Sequence, residues 1–145
     1  MSFYFRSQEV NAFNPLYFRD GRAWISKYRL SSNPTPVYPL ALKLAAIDNH
    51  PNVIYIARPC QFTPLDLDKH CSSKYWSEAR YSKEVVNSIN QVINNFKSYV
   101  LQKHKAIPDI HLVGYSGGAT IAGLIASQRD DVEVAVLPTL SEIIY

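Results

Sequence analysis

Four short runs rich in β-branched and aromatic residues, at 16–18, 53–57, 110–113 and 132–137, alternate with longer segments of helical periodicity. This alternation constrains the chain more than any other feature. Strands that recur between helical stretches are the pattern of βαβ units, in which a crossover helix returns the chain to the next parallel strand. The expected fold class is α/β, a mostly parallel sheet flanked by helices, with an edge strand at 2–5. The length of 145 residues fits one domain.

The connecting segments agree with that class. Asp20-Gly21 is a turn dipeptide that ends the first strand and opens a loop. Three prolines between 31 and 39 bar a helix there and place Pro39 at the first turn of the next one, 40–49, whose Leu40, Ala41, Leu44, Ala45 and Ile47 recur at helical spacing. Ser82 is the expected N-cap of a helix reaching about Lys105, with one apolar face of Val85, Val86, Ile89, Val92, Ile93, Phe96 and Val100. A small-residue helix is expected at 117–127. The stretch from Pro59 to Arg80 is too long for an ordinary connection, so it is either functional or held by a local staple.

Composition narrows the function classes. Fifteen Lys and Arg against 12 Asp and Glu give a formal charge of +3 with no basic run, which supplies little attraction for nucleic acid or an anionic membrane. The longest apolar stretches fall far short of the roughly 20 residues that span a bilayer. Residues 1–18 carry Arg6 and Glu9 among turn residues and do not read as a secretory signal, which leaves the compartment open. No His, Cys, Asp and Glu group has metal-ligand spacing, and neither metal nor cofactor is implied. Cys60 and Cys71 are too far apart for CxxC chemistry; a loop-closing disulfide and two reduced thiols are both consistent with the spacing.

The chemistry lies in Ile110-His111-Leu112-Val113-Gly114-Tyr115-Ser116-Gly117-Gly118-Ala119, an apolar strand running through Gly-x-Ser-x-Gly into a helix. A serine that attacks a carbonyl must be lifted above the sheet on a tight strand-to-helix turn, and glycines at Gly114 and Gly118 let strand and helix approach without a clash. The Gly117 N–H, at the positive end of the following helix, would meet the developing oxyanion. Three of the five glycines fall in these five residues. A phosphate-binding or plain packing turn is the alternative, but the segment lacks the Lys of a P-loop and the glycine spacing of a dinucleotide fingerprint.

Gly-Tyr-Ser-Gly-Gly after a hydrophobic strand resembles the α/β-hydrolase superfamily. Asp20-Gly21-Arg22-Ala23-Trp24, Asn33-Pro34-Thr35-Pro36, Ala57-Arg58-Pro59-Cys60-Gln61, Tyr75-Trp76 and Arg80-Tyr81-Ser82 are similar to one bacterial, esterase-like branch of it. The resemblance covers most of 16–137. It implies that the loop at Gly21 and Arg22 is the second source of oxyanion donors, and it tilts Cys60 and Cys71 toward a disulfide that staples the 59–80 loop. Arg19 departs from the pattern, standing where similar proteins tend to carry glycine.

The superfamily order is serine, then acid, then histidine. The resemblance therefore implies that the strands presenting the acid and histidine lie beyond Tyr145, so that 1–145 is a partial domain with an open sheet edge prone to self-association. His111 lies five residues before Ser116 along a strand, about 16 Å away, out of reach. His50 and His104 sit at strand entrances. His70 alone lies in a loop on the correct edge and is the candidate base, against the plainer reading of a solvated loop histidine. Asp66, Asp68 and Glu142 read as surface charge, and Tyr75, Trp76, Tyr81 and Tyr115 as packing or as walls of an acyl pocket.

Three functional expectations follow. The first is a serine hydrolase with Ser116 as nucleophile, acting on a small-molecule ester, thioester or amide. The second is an inactive hydrolase framework that serves as a binding module. The third, ranked behind, is phosphate or nucleotide binding at the glycine-rich turn.

Overall fold

The computed structural model describes residues 3–7, 14–19, 21–50, 52–104 and 109–137. Four parallel strands flanked by helices form the body of the fold. In chain order the seven described strands are β1 (Phe3–Ser7), β2 (Asn14–Arg19), a small separate hairpin of β3 (Trp24–Ser26) and β4 (Arg29–Leu30), then β5 (Asn52–Ile56), β6 (Ile110–Tyr115) and β7 (Val132–Leu137). The sheet order is β1-β5-β2-β6-β7, with β5, β2, β6 and β7 parallel and β1 antiparallel on β5. Among the described residues β7 pairs only with β6 and forms the other edge.

Helix α1 (Leu40–Ile47) lies on one face, and α2 (Lys83–His104) and α3 (Gly117–Ala126) lie on the other. The sequence dictates this split through the two-residue period of the strands. Leu16, Phe18, Ile54, Ile56, Ile110 and Leu112 point to one side and meet Val85, Ile89, Ile93, Phe96, Ile121 and Ile125, all buried. Each such side chain contributes about 1.5–3 kcal/mol by leaving water. The alternate residues Tyr17, Val53 and Tyr55 point to the other side and meet Ala41, Ala45 and Leu42 of α1. All five residues of β5 are buried, as expected of a strand covered on both faces.

Several boundaries differ from the sequence expectations. The loop after β2 contains the unexpected β3–β4 hairpin, and residues 73–76 form one 3₁₀ turn. Helix α1 stops at Ile47 rather than 49, because Asp48 turns to extended geometry and its carboxylate takes the His50 N–H at 2.8 Å. Pro39 is the N-cap of α1 rather than part of its first turn. Ser82 caps α2 as expected, its hydroxyl accepting the Val85 N–H at 3.4 Å. Strand β6 reaches Tyr115, two residues further than expected, so it delivers the chain directly to Ser116.

The topology leaves a crevice at one end of the sheet. From β2 the chain crosses by α1 to β5 on one side; from β6 it crosses by α3 to β7 on the other, over the opposite face. Loops after β2 and β6 therefore diverge at the carboxyl ends of two adjacent strands. Such a switch point leaves the crevice in which open α/β sheets bind ligands.

Candidate active site

Ser116 stands at that switch point. Its backbone has φ 57° and ψ −134°, a conformation that costs a non-glycine residue about 1–3 kcal/mol. Strand and helix together impose it. Strand β6 ends at Tyr115 and α3 begins at Gly117, leaving one residue to reverse the chain, and the Ala119 N–H closes the turn onto the Ser116 carbonyl at 2.8 Å. Gly114 is required for this approach. A Cβ there would lie 2.5 Å from both the Ala119 Cα and the Gly118 O. Gly117 and Gly118 are buried under the turn, and Ser116 itself is half-buried.

The loop after β2 forms the neighbouring wall. Strand register pairs Phe18 with Gly114 and Arg19 with Tyr115, so this loop starts level with Ser116. Gly21 lies so close to its neighbours that a Cβ would stand 2.0 Å from the Pro34 O and 2.2 Å from the Gln61 Nε2. The Arg22 N–H donates to the Pro34 O at 2.9 Å, so Arg22 shapes the loop through its amide instead of offering that amide to an anion. This narrows the oxyanion expectation, which had included Arg22 with Gly21.

Two further segments hold the wall in place. The Trp76 indole, 8% exposed, donates to the Ser31 O at 2.9 Å, and the Ser31 N–H donates to the Ala23 O at 2.8 Å. Gln61 is buried, accepts the Arg58 N–H at 3.1 Å and reaches the Pro34 O at 3.5 Å; the Phe62 N–H donates to the Thr35 Oγ1 at 2.9 Å. Arg58, buried, donates from Nη2 to the Arg80 O at 2.5 Å and lies over the Tyr81 ring. Cys60 and Cys71 are joined as a disulfide beside Gln61, stapling the long loop. Cys60 and Phe62 share positive φ with Ser116, at 69° and 54°. Among the described residues these three are the non-glycine positions with positive φ, and all lie beyond the carboxyl ends of strands.

Of the aromatic residues expected as packing or as pocket walls, Trp76 packs, whereas Tyr75 and Tyr81 each also line a surface cavity. Trp76 is buried in the loop contacts, the Tyr75 hydroxyl donates to Glu84 at 2.5 Å, and Tyr81 lies between the Arg58 and Arg80 guanidiniums at 5.2 and 5.0 Å. Gln61 and the Trp76 indole were missed as site-building residues, since no local spacing marks a contact between segments so far apart in sequence.

The structure does not bring His70 to Ser116. His70 is exposed, its N–H held by the Asp68 carboxylate at 2.9 Å, and its side chain lines a cavity of about 230 Å³ beside the disulfide. His111 faces Glu133 across β6 and β7 at 3.1 Å, and His50 pairs with Asp48 at 2.6 Å. Burial opposes ionisation of Asp48, but hydrogen bonds from the Tyr17 hydroxyl and from His50 outweigh it and hold its carboxyl below the usual range. Burial first, and then the Asp48 carboxylate, push the Tyr17 phenol above its ordinary value. Asp20, Glu142 and the His104 side chain lie outside the described residues. Among the described residues no group of three or more His, Cys, Asp or Glu could hold a metal ion, and no helix is long and apolar enough to cross a membrane.

Comparison with family models, with curated proteins and with solved structures found no match to this chain.

Proposed function

We propose that this chain is a serine hydrolase of the α/β-hydrolase type that cleaves an ester, thioester or amide through an acyl-enzyme on Ser116. The observation that carries the reading is the backbone of Ser116, a non-glycine residue held at φ 57° on a one-residue turn at the switch point of a parallel sheet. A plain packing turn would relieve that strain with glycine or asparagine. Strain of this kind persists where the position of one side chain matters.

The chemistry follows from the placement. The Ser116 Oγ attacks the substrate carbonyl, its proton passing to a general base, and the carbonyl oxygen becomes an oxyanion. The Gly117 N–H, at the positive end of α3, would meet that charge as it develops. Collapse expels an alcohol, thiol or amine, which takes a proton as it leaves, and attack by water then frees the acid and restores Ser116. No described histidine is hydrogen-bonded to Ser116, which is the specific observation favouring the second reading, a hydrolase framework that binds without turnover.

Hydrolysis of p-nitrophenyl esters of short acyl chains separates the two. The reading as a hydrolase predicts p-nitrophenolate release, at least as a single stoichiometric burst, that Ser116→Ala abolishes. Equal release by the native chain and by Ser116→Ala would leave the binding framework as the better account.

A further inference from the structure

A cleft of about 460 Å³ opens beside the Gly21 loop, lined by Trp24, Val37 and Tyr38 together with Arg22 and Arg80. Its volume is that of a small-molecule site. The lining is unusual for a surface: Trp24 is 50% exposed, Val37 64% and Tyr38 74%, so large apolar groups are left in water in a cleft that two arginines also line. The guanidinium of Arg80 lies over the Tyr81 ring, and neither it nor Arg22 pairs with a carboxylate among the described residues. Gly21 belongs to the cleft and is the first described residue after β2, whose end is level with Tyr115.

We infer that this cleft binds the non-reacting part of the substrate, an apolar group that carries an anionic end, with Trp24, Val37 and Tyr38 covering the apolar part and Arg22 and Arg80 holding the anion. As a statement about substrate this rests on the hydrolase reading; as a statement about binding it does not. Two features select this ligand class. Exposed aromatic and aliphatic walls gain by covering apolar surface. A guanidinium presents a planar donor fork that fits a carboxylate or phosphate, and apolar walls strengthen such bonds by displacing water. A neutral ester of the same shape would gain from the walls alone.

The test uses binding, so that it does not depend on turnover. Trp24 is half exposed and Trp76 buried, so quenching of tryptophan emission by a ligand in this cleft reports on Trp24. The probes are 4-phenylbutyrate, its neutral amide 4-phenylbutyramide, and 3-phenylpropyl phosphate, titrated into the native chain and into Arg22→Gln, Arg80→Gln and Arg80→Lys, each checked for an unchanged melting temperature. Saturable quenching by one or both anions, about tenfold tighter than by the amide, is expected, the worth of one charge-assisted hydrogen bond. Each Gln variant should lose most of that preference and Arg80→Lys should keep much of it, while Trp24→Phe should lose the signal. The carboxylate and phosphate arms show which anion the cleft prefers. Equal affinity for anions and amide, no saturable binding of any probe, or a preference untouched in both Gln variants would overturn the inference. Covalent labelling of Ser116 is read separately. Anion binding with an unreactive Ser116 keeps the cleft and removes the hydrolase, and the reverse result removes the cleft alone.

Discussion

The turn at Ser116 is made by five consecutive residues, whereas the loop that adjoins it is held by contacts from two separate segments. The turn itself closes within its own strand and helix: Gly114 lets the helix close in, and the Ala119 N–H fastens the turn. The 21–39 loop depends on Trp76 reaching Ser31, on Gln61 reaching Pro34 and Phe62 reaching Thr35, and on the disulfide beside Gln61. One wall is local and strained; the other is distributed and cross-braced. The difference implies that damage to the first is all-or-none, while the second fails by degrees.

The sharpest way to break this contrast is Gly114→Ala. Its Cβ would lie 2.5 Å from backbone atoms that cannot move without disturbing α3, and we expect a loss of about 4 kcal/mol in chemical denaturation, with much of the protein unfolded at 37 °C. Reducing the disulfide comes next. Releasing a loop with a sequence separation of 11 should lower stability by about 3 kcal/mol, seen as a lower melting temperature in dithiothreitol that Cys60→Ser with Cys71→Ser reproduces. Trp76→Phe should cost less, about 1–2 kcal/mol, because it leaves the buried Ser31 carbonyl without its donor. It should also slow acylation of Ser116, and a melting shift with unchanged acylation would mean that the wall does not serve the turn.

The smallest effect is expected at the opposite edge of the sheet. Asp131 takes two hydrogen bonds from Arg129 at 2.9 and 3.0 Å and one from Lys97, tying the entrance of β7 to α2. Arg129 foremost, against opposing burial and with help from Lys97, holds its carboxyl well below the usual range. A carboxyl depressed in the folded state stabilises fully above its unfolded value, near 3.9, and loses that contribution as pH falls toward the folded value. Asp131→Asn should therefore lower stability by about 1 kcal/mol at pH 7, after allowing for solvent screening, and the gap to the native chain should shrink below about pH 4. Because Asp131 is remote from Ser116, acylation should not change.

The same contrast explains what was legible in the sequence. Strand-helix alternation and the Gly-x-Ser-x-Gly segment are local signals, and the parallel sheet and the turn at Ser116 appear where they place them. The apolar faces of α2 and β6 were likewise readable from their periods. The β3–β4 hairpin was not, since Lys27-Tyr28 is a turn without the glycine or asparagine that usually marks one. Gln61 and Trp76 escaped notice as braces because their partners, Pro34 and Ser31, are 27 and 45 residues away. His70 was placed on the right edge of the sheet by chain order, but edge alone does not set distance, and its loop carries it to the disulfide side.

Covalent labelling of the native chain with a fluorophosphonate, mapped by peptide mass spectrometry, tests directly whether Ser116 is an activated nucleophile. A strained, helix-backed Ser116 predicts modification at that residue, lost in Ser116→Ala and absent from the other serines. A folded chain whose Ser116 stays unmodified while the reagent labels a control hydrolase would contradict the account.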